Sequence, residues 1–477
     1  MTASIRPNLI YVFADQLGRN HLGYAGAENA RTPHIDRMAE SGVDFANAVS
    51  TMPVCSAYRA SLFTGKYPTT TGMVINELRM NPNHRAIGHV LTDAGYKTGY
   101  IGKWHLYANR FARHHQAENS FIPPGPHRLG FDGYWAAYNF NHTYWNAYYH
   151  ENTPQKRFYE GDPGVDVYEP TGQTDLAVDF IRKKSKQDAP FALFLSYGTP
   201  HDPWGPKNAP PREFLDPFLD MDFPNPPNYR PKNDPYADLW GRFFPGARKH
   251  LPHWRRVYYA MTANLDWNLG RILSALDEQG LTEDTLVVFT SDHGEMFGAQ
   301  GRRNKNIFYD EACRVPFIIR RPGTIPARLS TDACLGIPDI MPTLLSLLGL
   351  STPAEVEGMD LSHCALGRPG PEPEVALMQN LGACAIFRDG YEWRGARDKK
   401  YTYAVYRKDG TEHLYDNIED PFQMTNLAND SAKSGEKARL KEFMYQKMAE
   451  LNDTFEASSW YRTHWLEGRN IVRGARG

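Results

Sequence analysis

Asn8-Leu9-Ile10-Tyr11-Val12-Phe13-Ala14-Asp15-Gln16 is an unbroken apolar run of strand length that ends in a carboxylate just ahead of a glycine-containing loop. The design recurs along the chain. Thr285 to Thr290 carries Leu-Val-Val-Phe into Ser291-Asp292-His293-Gly294-Glu295. Phe191 to Ser196 delivers His201 through Gly198-Thr199-Pro200, and the shorter Thr98 to Ile101 precedes Gly102-Lys103-Trp104-His105. Helical patterns lie between these strands: Pro33 to Ser41 with Thr32 as N-cap and Gly42 as stop, Asp175 to Lys184, and Arg255 to Gln279. Strands alternating with helices predict an α/β fold whose largely parallel sheet is covered on both faces. Such sheets bind ligands beyond the carboxyl ends of their strands. All four polar clusters fall at that edge.

Size and composition bound the rest. A chain of 477 residues with 41% hydrophobic content exceeds one ordinary core. Its net charge of −2 gives no global pull toward nucleic acid or an anionic membrane, so anion recognition must be local. The five cysteines, Cys55, Cys313, Cys334, Cys364 and Cys384, are few and widely spaced, and form neither a disulfide framework nor a zinc pattern. The first strand begins within ten residues of Met1, and no apolar run reaches membrane-spanning length. The expectation is a cytoplasmic protein, or a periplasmic or secreted one whose leader has been removed, with neither nucleic acid nor membrane as partner. Oligomeric state is not readable.

The run Val54-Cys55-Ser56-Ala57-Tyr58-Arg59-Ala60-Ser61-Leu62-Phe63-Thr64-Gly65 places a cysteine at the start of a helix spanning Ser56 to Phe63, with Gly65 as its stop. A thiol at a helix N-terminus is expected to be acidified and accessible. The run resembles the signature C-x-[PA]-x-R followed by Ser-x-x-Thr-Gly of the formylglycine-dependent type I sulfatases, with Ala57 where most members carry proline. The resemblance continues through Gly102-Lys103-Trp104-His105, Pro200-His201-Asp202-Pro203, and Lys305 ahead of Tyr309-Asp310 and Arg314-Val315-Pro316. It spans nearly the whole chain.

That resemblance implies an alkaline-phosphatase-like α/β/α sandwich with a small C-terminal antiparallel sheet. Residues 1–369 would form the catalytic domain, with substrate-facing insertions at about 106–172 and 203–252, and residues 370–477 an α+β subdomain and tail. It implies a sulfuric ester hydrolase acting on a carbohydrate, matured by a formylglycine-generating enzyme that oxidises Cys55. Asp15, Asp292 and His293, two hard oxygen donors and an imidazole, would hold one divalent cation beside residue 55. Gln16 stands where most members have a second aspartate, and would ligate through its amide oxygen or contact substrate. The cation would be calcium, with magnesium or manganese compatible with the same donors. Lys103 and Lys305 would bind sulfate, His105 would act on the hydrated aldehyde, His201 would protonate the departing alcohol, and Arg59 would hold the hydrate in place. Such charge is needed because a sulfate ester is a stable anion whose leaving alkoxide must be protected.

Sugar contacts are sought in the insertions. His114, His115 and His127 lie in the first of them, as do Tyr144 and Trp145 of the aromatic stretch Tyr134 to His150, and Pro203 to Pro252 would form a lid or rim beside His201. Near the C-terminus, Cys384 to Arg388, Glu392 to Arg397, Tyr401 to Tyr406 and Glu412 to Tyr415 predict short strands, followed by a helix from about Ser434, read as its N-cap, to Leu451. Arg394 is a further substrate candidate, although pairing within the protein is the simpler use of it. The rival readings are a phosphonate monoester or phosphodiester hydrolase, a choline-sulfatase-like enzyme, and, if Cys55 stays unconverted, a non-catalytic protein that binds sulfated glycans.

Overall fold

Leu9, Tyr11 and Phe13 pack into one apolar core, while Ile10, Val12 and Ala14 pack into another. That two-residue alternation places the first strand in the middle of a sheet covered on both faces. The structure is a computed structural model that describes residues 6–161 and 166–476. Its main sheet comprises β1 (Asn8–Asp15), β2 (Val43–Phe45), β3 (Lys97–Lys103), β4 (Tyr134–Tyr138), β5 (Phe191–Pro200), β6 (Thr285–Ser291), β7 (Phe317–Arg320) and β8 (Leu329–Thr331). The spatial order is β8-β2-β7-β6-β1-β5-β3-β4. Only β7 runs antiparallel to its neighbours, β2 and β6; the other pairs are parallel.

Helices α1 (Pro33–Glu40), α3 (Glu169–Lys184) and α4 (Leu251–Glu278) supply Ile35, Ile181 and Leu265 to one core, and α2 (Cys55–Thr64) supplies Leu62 and Phe63 to the other. Every residue of α2 is buried, and Gly65 ends it in the left-handed conformation at φ 64°. A second, antiparallel sheet follows, β9 (Ala376–Asn380), β10 (Trp393–Arg397), β11 (Tyr401–Tyr406) and β12 (Glu412–Asp416), on which α5 (Ser434–Glu450) packs through Leu440 and Met444. Among the described residues no helix is long and apolar enough to cross a membrane.

The sequence reading needs correction at four places. Thr32 holds the N-cap position of α1 but its side chain makes no capping bond: its hydroxyl is bonded to Asp36 Oδ1 (2.9 Å), and Asp266 of α4 accepts the His34 and Ile35 N–H groups at 2.9 and 2.7 Å instead. Ser434 is the first residue of α5, entered from a turn capped by Asp430. Cys384 to Arg388 is not a strand, because its end is drawn toward other loops: Cys384 N–H donates to Asp238 Oδ2 (2.8 Å), and the Cys384 carbonyl accepts from Asn76 N (2.8 Å). The sheet takes β9 in its place. Finally, the segment 106–172 is not wholly an appendage, since Tyr134–Tyr138 is the edge strand of the main sheet and Trp135 and Tyr138 are buried in it.

Candidate active site

Four neighbouring strands, β1, β6, β3 and β5, end at one edge and bring Asp15, Asp292 with His293, Lys103 and His201 together. The close approach is built in at Gly102, where a Cβ would lie 2.0 Å from the Ser196 carbonyl oxygen on β5. Cys55 opens α2 beneath this edge, with Sγ 3.2 Å from His293 Nε2 and 3.6 Å from Asp15 Oδ1.

Asp15, Cys55, Asp292 and His293 each present one ligand atom, all within 4.8 Å of one another and all buried. His293 Nδ1 bonds the Gly294 carbonyl at 3.1 Å, which puts the proton there and leaves the Nε2 lone pair 3.6 Å from Asp15 Oδ1 and 3.4 Å from Asp292 Oδ1. Burial first, then Lys305, holds this imidazole neutral, well below the usual histidine range. Asp292 Oδ2 is buried without a hydrogen-bond partner. Lone pairs facing lone pairs and an orphaned carboxylate oxygen repel one another unless a cation sits between them, so this donor set fits a divalent metal ion. Burial first, then Asp15, raises the Asp292 carboxyl, a shift that a bound cation would reverse. Gln16, at φ 67°, keeps its amide beside this set but engaged: Oε1 accepts from Lys305 (2.9 Å) and Nε2 donates to Glu295 (2.6 Å).

Cations complete the cluster. Arg59 lies below it, donating from Nη1 to the Lys103 carbonyl (2.6 Å) and Ser196 Oγ (2.7 Å), while Nη2 stands 3.6 Å from both Asp15 Oδ2 and Asp292 Oδ2. It thereby ties β3 to β5 and shields the two carboxylates from each other. Lys103 pairs with Asp15. Burial favours the neutral acid, but Lys103, with Lys305 adding to it, carries Asp15 well below the ordinary carboxylate range. Lys305 Nζ lies 3.4 Å from Cys55 Sγ and 2.6 Å from His201 Nε2, whose other nitrogen bonds the Asp202 carbonyl at 2.8 Å. Burial first, then Lys305, keeps His201 neutral. Arg59, Lys103 and Lys305 thus face Asp15 and Asp292, leaving a net positive site before any metal is added.

The expected acidified, accessible thiol is not what the fold makes. Cys55 is 0% exposed, and burial followed by the Asp15 charge pushes its thiol up to about 11, outweighing the helix terminus and both lysines.

Above the cluster opens a pocket of about 510 Å³ walled by Glu77, His114, Phe140, His142, Trp240 and Arg303 among others, with His201 and Lys305 at its floor. Of the substrate candidates, His114 lines it, whereas His115 is exposed outside the lining and His127 packs on Tyr107 at 4.8 Å. Tyr144 is buried, its hydroxyl within hydrogen-bond distance of the carbonyls of Gly198 (2.9 Å) and His201 (2.7 Å), and Trp145 Nε1 donates to Ala209 O (2.8 Å), so both anchor loops. Arg394 is fully buried in a bidentate pair with Asp453, at 2.5 and 2.7 Å, and does not line the pocket. From the Pro203 to Pro252 segment, Pro203, Leu239, Trp240 and Phe244 line it.

Sequence reasoning passed over two wall residues, Glu77 and Arg303, and took in a third, His142, only as part of the aromatic stretch Tyr134 to His150. Glu77, at φ 66°, puts Oε1 3.9 Å from His105 Nε2 and 3.4 Å from His114 Nδ1, with Oε2 buried and unpartnered. Burial, offset in part by Arg469, raises its carboxyl to about 7. His105 is fully buried with neither ring nitrogen bonded. Arg469, in the turn of the C-terminal hairpin Leu466–Glu467/Asn470–Ile471, donates to the carbonyls of Asn76 and Glu77 and so holds this wall. His142 stacks on His201 with ring centroids 3.9 Å apart and planes 7° from parallel. Arg303 pairs with Asp202 at 3.2 Å beside the pocket mouth. Arg303 carried a local signal as a neighbour of Lys305, and His142 as a member of the aromatic stretch; Glu77 carried none.

Comparison with known proteins gives the family. A family model described as Sulfatase matches residues 7–350, and one described as N-sulphoglucosamine sulphohydrolase, C-terminal, matches residues 298–451. The chain is 36% identical over 474 residues to an ulvan-active sulfatase of Formosa agariphila, covering 98% of this chain and 86% of that protein. It is 29% identical over 512 residues to an endo-4-O-sulfatase of Bacteroides thetaiotaomicron, covering 97% and 95%. The crystal structure of a putative sulfatase yidJ from Bacteroides fragilis superposes with a TM-score of 0.80 at 30% identity, covering 97% of this chain and 98% of that one.

Proposed function

This chain belongs to the sulfatase family and hydrolyses sulfate esters, and from that premise we propose how its residues divide the work on a sulfated carbohydrate. The observation that carries the reading is the convergence of Asp15, Cys55, Asp292 and His293 with Lys103, Lys305 and His201 at the floor of one pocket. The pocket exceeds the volume of a sulfate group, and its mixture of Phe111, Phe140 and Trp240 with Asn76, Glu77 and Asn304 suits the apolar face and hydroxyl edge of a sugar ring. The matched relatives are named as sulfatases, one of them ulvan-active, and this favours sulfate over phosphonate or phosphodiester substrates.

Asp15, Asp292 and His293 would hold one divalent cation beside residue 55, which we take to be calcium because the two carboxylates are hard donors. When bound, the cation supplies Lewis acidity, and formylglycine made from Cys55 supplies a hydrated aldehyde as nucleophile. Lys103 and Lys305 receive the sulfate oxygens and neutralise charge that grows as the ester bond breaks. His201, its Nδ1–H fixed on the Asp202 carbonyl, presents Nε2 to the Lys305 ammonium, and this pair delivers the proton to the departing sugar alkoxide. His105, with both ring nitrogens free, takes the proton whose removal releases sulfate from position 55. Arg59 keeps Asp15 and Asp292 together while this happens.

A sulfate-release screen over defined sulfated saccharides, run beside an aryl sulfate and an aryl phosphonate, tests the substrate class. Release from a saccharide is expected; faster turnover of the phosphonate would overturn the reading. Peptide mass spectrometry across residues 54–59 tests the nucleophile, and an intact thiol in fully active enzyme would refute it.

A further inference from the structure

Phe244, 52% exposed, is a wall of two cavities at once. One is the catalytic pocket; the other is an open cleft of about 510 Å³ formed by Asn233, Arg242, Phe243, Pro245 and Arg248 on the rim segment. The cleft therefore adjoins the catalytic pocket, with Phe244 standing between the two.

Its charge is uncompensated. Among the described residues, the two arginines that line it, Arg242 and Arg248, make no ion pair, nor do Arg230, Lys232 and Lys249 beside them in the chain, while Asp234 is paired with Arg302 (2.9 Å) and Asp238 accepts from Gly241 N–H, Asn306 and Cys384 N–H. Arg248 is nonetheless held in place, donating to the Arg230 carbonyl (3.0 Å) and Asn233 Oδ1 (2.8 Å), with its guanidinium 4.0 Å from the Phe243 ring centroid. Both acceptors are neutral, so the full positive charge remains available. The reaction does not call on it, because Lys103 and Lys305 already face the sulfate being transferred. Arginines beside an exposed phenylalanine and proline offer an anion site next to an apolar platform, which matches a charged sugar ring.

We propose that this cleft is a second saccharide subsite. It binds the sulfate ester or carboxylate of a sugar adjoining the one that is desulfated, so that the enzyme acts on anionic chains in preference to single sugars. The proposal rests on the carbohydrate reading above.

The test uses the full-length enzyme on a sulfated monosaccharide and on oligosaccharides in which the adjoining sugar carries a sulfate, a carboxylate or no charge. The quantity followed is the ratio of kcat/KM for oligosaccharide to that for monosaccharide. Arg242→Ala is the fold-neutral variant, since among the described residues the only hydrogen bond of that side chain is a 3.4 Å contact with the Asp238 carbonyl. Arg242→Ala with Arg248→Gln should lower the ratio roughly tenfold, through KM, for the anionic oligosaccharides, and raised salt should lower the wild-type ratio in the same way. A fall with both anions marks a general anion site, and a fall with one of them identifies the group bound. An unchanged ratio, or an equal fall on the oligosaccharide with a neutral neighbour, would overturn the subsite. Wild-type release from the monosaccharide checks the carbohydrate reading separately, and an enzyme active on aryl sulfate but on no saccharide would overturn both.

Discussion

Replacing Glu77 by glutamine removes one charge and almost no volume from the wall facing His105. At 3.9 Å and an effective dielectric constant of about 20, a unit negative charge stabilises an imidazolium by about 4 kcal/mol. The amide dipole recovers part of this, so we expect kcat to fall roughly a hundredfold, equivalent to about 2.7 kcal/mol, with a smaller change in KM. The pH profile distinguishes a catalytic contribution from a structural one. Glu77 carries its charge only above about 7, so wild-type kcat should climb through that pH and Glu77→Gln should lack the limb. Stability moves the opposite way. A carboxyl raised from 4.5 to about 7 in the fold opposes folding progressively as pH rises between those values, by up to about 3 kcal/mol, and the glutamine variant escapes this. It should therefore melt at a higher temperature than wild type at pH 8 while turning over more slowly. A variant that keeps kcat within about threefold, or retains the limb near pH 7, would refute the coupling of Glu77 to His105.

Three further outcomes follow from other contacts. Arg394→Met leaves Asp453 buried without its partner and should destabilise by about 3–5 kcal/mol; for 477 residues that is a melting shift of roughly 3–5 °C, with KM of the folded enzyme unchanged, as scanning calorimetry and saccharide kinetics would read. Chelation should abolish sulfate release and lower the melting temperature by roughly 3 °C relative to enzyme at a hundredfold excess of metal over its Kd, with calcium restoring both better than magnesium. Arg469→Ala frees the Asn76 and Glu77 carbonyls and should raise KM about tenfold while moving the melting temperature by less than about 2 °C, measurable by initial rates and thermal shift.

The strand-end positions of Asp15, Lys103, His201 and Asp292 were legible because apolar runs of strand length terminate at each of them, and the parallel topology then forces those ends to one edge. Helix α2 was legible from its terminal glycine. Glu77 was not, since a loop residue in the left-handed region has no periodicity to announce it, and its neighbours His105, His114 and Arg469 come from distant parts of the chain. The thiol of Cys55 was misjudged for a related reason: local sequence displays the helix terminus but not the burial and the Asp15 charge that outweigh it. Ala376–Asn380 went unrecognised as a strand because its role is set by pairing with Trp393–Arg397, a long-range fact. Tyr144 and Trp145 resembled sugar platforms for want of knowing that Gly198, His201 and Ala209 lie opposite them.

The C-terminal hairpin gives the molecule a timetable. Arg469 is synthesised long after Cys55, yet it pins the segment that walls the pocket over Cys55. At 5–20 residues per second, roughly 20–80 s separate the synthesis of Cys55 from that of Arg469. Throughout that interval the nascent chain lacks the clamp that completes the wall. Any oxidation that must reach a thiol destined to be fully enclosed therefore has a period set by translation itself, and shortening or advancing the hairpin in sequence would shorten that period.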